Sequence, residues 1–179
     1  MNPNSRVVKA SKDFRLWEFA YHCSQKGPHY GETYHPKGDS LRGLKAVVGR
    51  ILVPCRARFG VPLHVLYGGG YDPVYDPEDF VYVTHRGSAA SPSRTQHQHG
   101  AVDFRVGARR KTDPWDIREV WDWINCHMNK QGITGALGLY LKDHNRFIHV
   151  DLRPGRARGY FAEPDVCKWS LDRNDVELW

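Results

Sequence analysis

The sequence predicts an α+β domain in which helices pack on one face of a mainly antiparallel sheet. In residues 41–59 and again in 113–132, apolar residues recur at three- and four-residue steps, the period of a helix with one buried face. The short apolar or alternating runs that indicate strands lie at 61–69, 80–85, 101–106, 136–141 and 146–152. This order of helix, strands, helix and closing hairpin is typical of a single α+β domain over residues 1–179.

Composition supports one folded domain and narrows the classes of partner. The chain has 179 residues, 40% of them hydrophobic and 12% aromatic, which suits one globular core. We expect no membrane insertion and no export by a signal peptide, because no apolar run has the length either requires. The net charge of +6 suits an anionic partner such as a cell-wall polymer. No nucleic-acid-binding motif accompanies the scattered basic residues, so nucleic acid is not expected as a partner.

The four cysteines are far apart in the sequence, at positions 23, 55, 126 and 167. They form no CxxC pair, which argues against a cysteine-based zinc site and predicts reduced, mostly buried thiols.

The predicted helix over 41–59 carries its own start and stop signals. Ser40 is placed to cap its first turn, and Gly60 is placed to end it. Pro54 is expected to kink the helix or to tighten its last turns, because proline has no N–H for the helical hydrogen bond.

Two further local expectations concern the second helix and the N-terminal segment. In 113–132, Asp113 is the predicted N-cap and Pro114 the first helical residue. The predicted buried face of this helix comprises Ile117, Val120, Trp121, Ile124 and Met128. The residues predicted to anchor the N-terminal segment 13–23 in the core are Phe14, Leu16, Trp17 and Phe19.

Two stretches carry the residue types of a metal site. The first, TQHQHGAVDF at 95–104, offers His97, His99 and Asp103, and the second, RFIHVDLRP at 146–154, offers His149 and Asp151. Catalytic zinc is usually held by three His, Asp or Glu side chains, with one position left for water. Residues i and i+2 of a strand point to the same face, so His149 and Asp151 are expected to face one cleft on the sheet. Gly100 is expected to allow a close approach or an unusual backbone angle.

These motifs resemble a known family. Phage members of the zinc D-Ala-D-Ala carboxypeptidases and their relatives read S-x-H-x-x-G-x-A-x-D, then GxGxY, then FVHVDxR. This sequence reads TQHQHGAVDFRV, GALGLY and FIHVDLR, and the segment DFRLWEFAYHC and the helix before FGVPLHV also resemble the family's opening. The relatives include L-alanyl-D-glutamate endolysins, vancomycin-resistance dipeptidases and the hedgehog signalling domain. The likeness runs from about residue 13 to 160, with 161–179 as a C-terminal extension.

The resemblance implies a set of roles. His97, Asp103 and His149 would be the zinc ligands, with His99 as the alternative to His97 because the first His and the Asp are six residues apart here and seven in the family. Asp151 would act as the general base or orient the site, since Arg146 stands where the family carries an acidic residue.

The family's substrate-carboxylate arginine is also missing from the matching stretch YGGGYDP. Arg86 or Arg94 would supply that contact instead, because both lie in the loop before the metal motif.

The function expected from the resemblance is zinc-dependent cleavage of peptidoglycan stem peptides, of the D-Ala-D-Ala carboxypeptidase or L-Ala-D-Glu endopeptidase type. The motif style and the missing signal peptide favour a phage protein. It would be either a lysin released from the host cytoplasm through a holin or a wall-degrading protein of the virion tail. The alternative is a catalytically inactive virion protein that keeps the peptidase fold and binds other virion proteins, which the altered first motif and Arg146 favour.

Overall fold

The computed structural model describes residues 2, 4–8, 12–22, 31–66, 70, 100–107, 115–141 and 146–152, and the backbone of 158–161. Its helices are a 3-10 turn at Leu16–Phe19, α1 at Gly38–Val47, a π-helical segment at Val48–Leu52, α2 at Val53–Phe59 and α3 at Ile117–Lys130. Its strands are β1 at Tyr21–His22, β2 at Thr33–Tyr34, β3 at Leu63–Val65, β4 at Val102–Val106, β5 at Ala136–Tyr140, β6 at Phe147–Asp151 and β7 at Arg158–Phe161.

The predicted helix over 41–59 is present and begins earlier than expected. It starts at Gly38 and runs through the π-helical segment to Phe59. Gly60 ends it in the left-handed conformation, with φ of 67°, as the sequence predicts. The prediction that Ser40 caps the helix is wrong: Lys37 is the N-cap residue, and Ser40 is buried within the first turn.

Pro54 widens this helix where the sequence predicted a kink or a tighter turn. The N–H of Val53 bonds to the carbonyl of Val48, five residues earlier instead of four. Proline has no N–H, so Pro54 cannot bond to the carbonyl of Arg50, its usual helical partner. The ring Nε2 of His127, on α3, donates to that carbonyl at 3.0 Å. Pro54 thus leaves the Arg50 carbonyl available to His127, and this hydrogen bond links the helix over 38–59 to α3.

Helix α3 buries the predicted face but starts later than predicted. Asp116 is its N-cap, and the Asp116 side chain accepts a hydrogen bond of 2.9 Å from the Arg118 N–H. The prediction of Asp113 as the cap is therefore wrong; Asp113 and Pro114 themselves lie outside the described residues. The predicted face is confirmed, with Ile117 partly buried and four residues fully buried, namely Val120, Trp121, Ile124 and Met128.

The main sheet has five described strands in the order β3-β4-β6-β5-β7. The first four are antiparallel, and the predicted hairpin of β5 and β6 is confirmed, with Gly138 opposite His149. Strand β7 pairs with β5 in parallel, which the sequence did not predict. The described part of the fold is thus α+β with a mainly antiparallel sheet. The predicted strand at 80–85 lies outside the described residues.

Alternation along the strands divides the sheet into an apolar and a polar face. Helix α3 contacts β4, β5 and β6. The sheet residues that share its core cluster are Leu63, Val102, Phe104, Val106, Leu137, Leu139, Ile148 and Val150. Residues between these positions point to the opposite face. That second face carries Asp103, His149 and Asp151, all of them buried.

The N-terminal segment is anchored by three of its four predicted residues. Phe14, Leu16 and Phe19 are buried in the core cluster, whereas the side chain of Trp17 is 51% exposed. The prediction of Trp17 as an anchor is wrong: in a 3-10 turn Leu16 and Phe19, three residues apart, share the buried face, and Trp17 points away from it. Among the described residues, no helix has the length and apolar character needed to cross a membrane.

The described cysteines meet the sequence expectation in part. Cys55 is buried and Cys126 is exposed, and both are free thiols. Burial raises the pKa of Cys55 to about 12, so its thiol stays protonated and unreactive at neutral pH.

Candidate metal site

The two sequence motifs meet at Asp103 and His149. These residues are directly opposite each other on the neighbouring strands β4 and β6, although 46 positions separate them in the chain. The Asp103 carbonyl accepts a hydrogen bond of 2.9 Å from the Leu66 N–H, so its backbone groups point toward β3. The pairing with His149 is therefore of the non-hydrogen-bonded kind, in which facing side chains lie closest.

The Asp103 carboxylate and the His149 ring form a buried polar pair. His149 Nδ1 lies 2.5 Å from Asp103 Oδ1, so the ring donates a short hydrogen bond to the carboxylate. Their side chains are only 4% and 2% exposed. Moving a carboxylate out of water costs free energy unless hydrogen bonds or a cation compensate. Each of the two side chains thus supplies a hydrogen-bond partner for a buried polar atom of the other.

The donor atoms of this pair suit two of the three protein ligands of a zinc ion. Carboxylate oxygen and imidazole nitrogen are both common zinc ligands. At zinc–ligand distances of about 2.0–2.2 Å in a tetrahedron, two ligand atoms lie about 3.3 Å apart, so the present contact would open by about 0.8 Å. A rotation of either side chain provides such a shift. The residues present therefore fit the expected zinc on their chemistry and their placement.

Asp151 lies on the same face of β6 as His149 and is 1% exposed. Within the part of the chain that the structure describes, no three His, Cys, Asp or Glu side chains form a group that could hold a metal ion. Asp151 therefore does not join the Asp103–His149 pair as a third ligand. Its burial suits the orienting role better than that of a general base, which must reach a water or substrate proton.

Gly100, just before β4, packs closely against the backbone of helix α1. Its φ is 89°, a conformation that residues with a side chain rarely adopt. A Cβ on Gly100 would lie 2.2 Å from the backbone N of Leu44 and 2.5 Å from the carbonyl carbon of Gly43. Both predictions for this glycine, the close approach and the unusual backbone angle, are confirmed. His97 and His99, which precede it, lie outside the described residues.

The sheet face that carries Asp103 and His149 also carries the guanidinium group of Arg105, which the sequence analysis did not select. Arg105 is two residues beyond Asp103 on β4, points to the same face and is half-buried. The i, i+2 spacing of Asp103 and Arg105 in VDFRV could have identified this residue from the sequence. Arg86 and Arg94, the predicted substrate contacts, lie outside the described residues. Arg146 is exposed immediately before β6.

Small and aromatic residues flank the pair on β5 and β6. Gly138 is directly opposite His149, so no side chain of β5 projects beside the imidazole. One step further on the same face, the rings of Tyr140 and Phe147 stack at 4.2 Å between centroids with an interplanar angle of 8°. His149 thus has a glycine opposite it on β5, and a stacked aromatic pair one step further along the same face.

Comparisons with known proteins identify no relative. No protein-family model matches the chain, and neither the curated proteins nor the solved structures yield a match.

Proposed function

We propose that this protein is a zinc-dependent peptidase that cleaves peptidoglycan stem peptides. The observation that carries the proposal is the buried Asp103–His149 contact, in which two motifs chosen from the sequence as metal-binding meet at 2.5 Å. Burying a carboxylate and an imidazole on the central strands of a sheet costs free energy, and a bound cation would offset that cost. The resemblance to the zinc D-Ala-D-Ala carboxypeptidases supplies the substrate class.

Within this proposal Asp103 and His149 would hold the zinc together with His97, or with His99 in its place. A zinc ion held there would polarise the scissile carbonyl and lower the pKa of a bound water. The rigid strands β4 and β6 fix the two described ligands, and Asp151 orients the site from its buried position beside His149.

The other residues on this face suit an extended substrate with an anionic group. Gly138 adds no side chain beside His149, which leaves room there for a peptide backbone to approach. Arg105 offers a planar set of donors that matches a carboxylate, and it adds a third candidate to Arg86 and Arg94 for the substrate contact. Tyr140 and Phe147 provide apolar contact area next to the reacting bond.

The first experiment is to measure zinc per chain in dialysed wild-type protein by elemental mass spectrometry. We expect about one zinc ion that is lost in Asp103→Asn and in His149→Gln. Hydrolysis of synthetic stem peptides should then require the metal and stop with a chelator. A zinc content near zero that added zinc does not restore would rule out the peptidase.

A specific observation favours the second candidate, a virion protein that keeps the fold without activity. Arg146 takes the position where the resembling peptidases carry an acidic residue, and it is exposed before β6. An arginine cannot accept a proton from water. Zinc bound without hydrolysis of any stem peptide would support this candidate, and Arg146→Glu would be the variant to test for regained activity.

The biological setting follows from the same resemblance. We infer a phage protein that acts on the wall as a lysin released through a holin or as part of the virion tail. The net charge of +6 suits attraction to anionic wall polymers. Wall binding should then weaken as salt is added, because exposed charges are screened.

A further inference from the structure

His22 lies on strand β1 of the small β1–β2 sheet, and His35 directly follows strand β2. His22 is opposite Thr33, and Tyr21 is opposite Tyr34, in an antiparallel register. His35 is two residues beyond Thr33, so an extended chain there would put it on the face that carries His22 and Thr33, and the electrostatic effect of His22 on His35 indicates that the two rings are near each other. His22 and His35 are diagonal neighbours, whose Cβ atoms typically lie about 7 Å apart or less, within reach of a common ligand.

His22 is held in a defined orientation. Its Nδ1 lies 2.9 Å from the hydroxyl oxygen of Thr33. This contact fixes the ring and directs metal binding to Nε2, in the way that a hydrogen bond on one ring nitrogen orients many metal-binding histidines. The His22 side chain is otherwise exposed, so an ion can reach it from solvent.

His35 supplies a second, independent observation. Its Nδ1 is buried and has no hydrogen-bond partner among the residues that the structure describes. A buried ring nitrogen without a partner costs free energy, and a bound cation would supply the missing interaction. Burial and the neighbouring His22 both lower the pKa of His35. Its ring is therefore neutral at neutral pH, the form that binds metals.

We propose that His22 and His35 form a second divalent-metal site, selective for ions that favour imidazole nitrogen, such as Zn²⁺, Ni²⁺ and Cu²⁺. Two protein ligands leave the remaining positions to water, so this site binds more weakly than a three-ligand site. Protons compete for both rings, so the site should release its ion as the pH falls.

The test is equilibrium dialysis of the full chain against Zn²⁺ at neutral pH, with zinc per chain measured by elemental mass spectrometry. We expect His22→Gln and His35→Gln each to lower zinc content by about one ion per chain. Thr33→Val keeps both imidazoles but removes the orienting contact, so it should retain zinc less tightly; Thr33→Ser is its matched control and should match wild type. Circular dichroism establishes that each variant is folded.

A direct measurement covers the case in which a histidine variant does not fold. In wild-type protein, the imidazole NMR resonances of His22 and His35 should shift together on addition of Zn²⁺. The proposal is overturned if these resonances do not respond, or if folded His22→Gln and His35→Gln proteins bind as much zinc as wild type.

The outcome is separable from that of the proposed peptidase. Asp103→Asn removes a proposed ligand of the Asp103–His149 site and leaves His22 and His35 unchanged. If the His22–His35 site exists, Asp103→Asn protein still loses about one zinc ion when His35→Gln is added, whether or not Asp103 and His149 bind metal. If zinc is lost with Asp103→Asn alone and not with His35→Gln, only the Asp103–His149 site exists and the His22–His35 proposal fails.

Discussion

Gly100→Ala tests the contact that positions the candidate site against helix α1. The added methyl group meets two obstacles. Forcing an alanine into the left-handed region costs about 1–2 kcal/mol. A Cβ only 2.2 Å from the Leu44 backbone N also pushes β4 and α1 apart. Overpacking of this kind adds about 1–3 kcal/mol.

The two contributions together predict a loss of about 2–5 kcal/mol in the free energy of unfolding, or a fall in Tm of roughly 10 °C for a chain of this size. Gly132→Ala is the matched control: Gly132 also has a positive φ, of 58°, but nothing lies within 4 Å of its Cβ position. It should lose only about 1–2 kcal/mol, because the backbone strain alone applies.

The assay is urea and thermal denaturation of wild type and both variants. Equal destabilisation by Gly100→Ala and Gly132→Ala would refute the close approach of Gly100 to α1. A second measurement connects the contact to the site: zinc content should fall in Gly100→Ala and be unchanged in Gly132→Ala, since Gly100 directly follows the predicted histidine ligands.

Three further predictions concern single polar groups, and each is measured by chemical denaturation. Asp103→Ala leaves the His149 ring buried without its carboxylate and should cost about 3–5 kcal/mol, whereas Asp116→Ala at the exposed cap of α3 should cost about 1 kcal/mol; equal losses would contradict the buried pair. His127→Ala removes the donor to the exposed Arg50 carbonyl and should cost about 0.5–1.5 kcal/mol, with His127→Gln costing less. The pKa of Cys55 is raised from 9.0 to about 12, so the folded state keeps a proton that the unfolded chain loses. Its contribution is present below pH 9 and is lost as the pH rises toward 12, and the fall in stability over that range should be smaller in Cys55→Ala.

The helices show what local sequence patterns can and cannot locate. The apolar faces of α1 and α3 follow from their spacing because a helix repeats every 3.6 residues whatever surrounds it. The predicted starts of α1 and α3 were misplaced: Ser40 and Asp113 both have cap-forming side chains, yet Lys37 and Asp116 occupy the cap positions. Several residues near a helix start can serve as caps, and tertiary packing selects among them.

The π-helical segment before Pro54 leaves a backbone carbonyl whose hydrogen-bond donor comes from a distant part of the chain. The sequence identifies Pro54 as a residue that breaks the helical hydrogen-bond pattern. It does not show that the Arg50 carbonyl would be satisfied by His127, which lies 77 positions further along the chain. That pairing depends on how α3 packs across the helix.

In the candidate site, the sequence predicts the residue types and the face of each strand on which they lie. The pairing of the strands in the sheet brings Asp103 and His149 together. The i, i+2 rule places His149 and Asp151 on one face of β6, and the same rule applied to β4 adds Arg105 to Asp103. No local rule predicts that Asp103 lies opposite His149. A shift of one residue in this register would turn the carboxylate into the apolar core.

The sequence by itself determined the periodic elements, their buried faces and the residue types of a metal site, because these depend on neighbours three to four residues apart in a helix or two apart in a strand. Only the tertiary structure decided the strand order, the parallel β7, the contact of Gly100 with α1 and the pairing of Asp103 with His149. These features join distant parts of the chain, and their geometry follows from the packing of α3 and the sheet around one core.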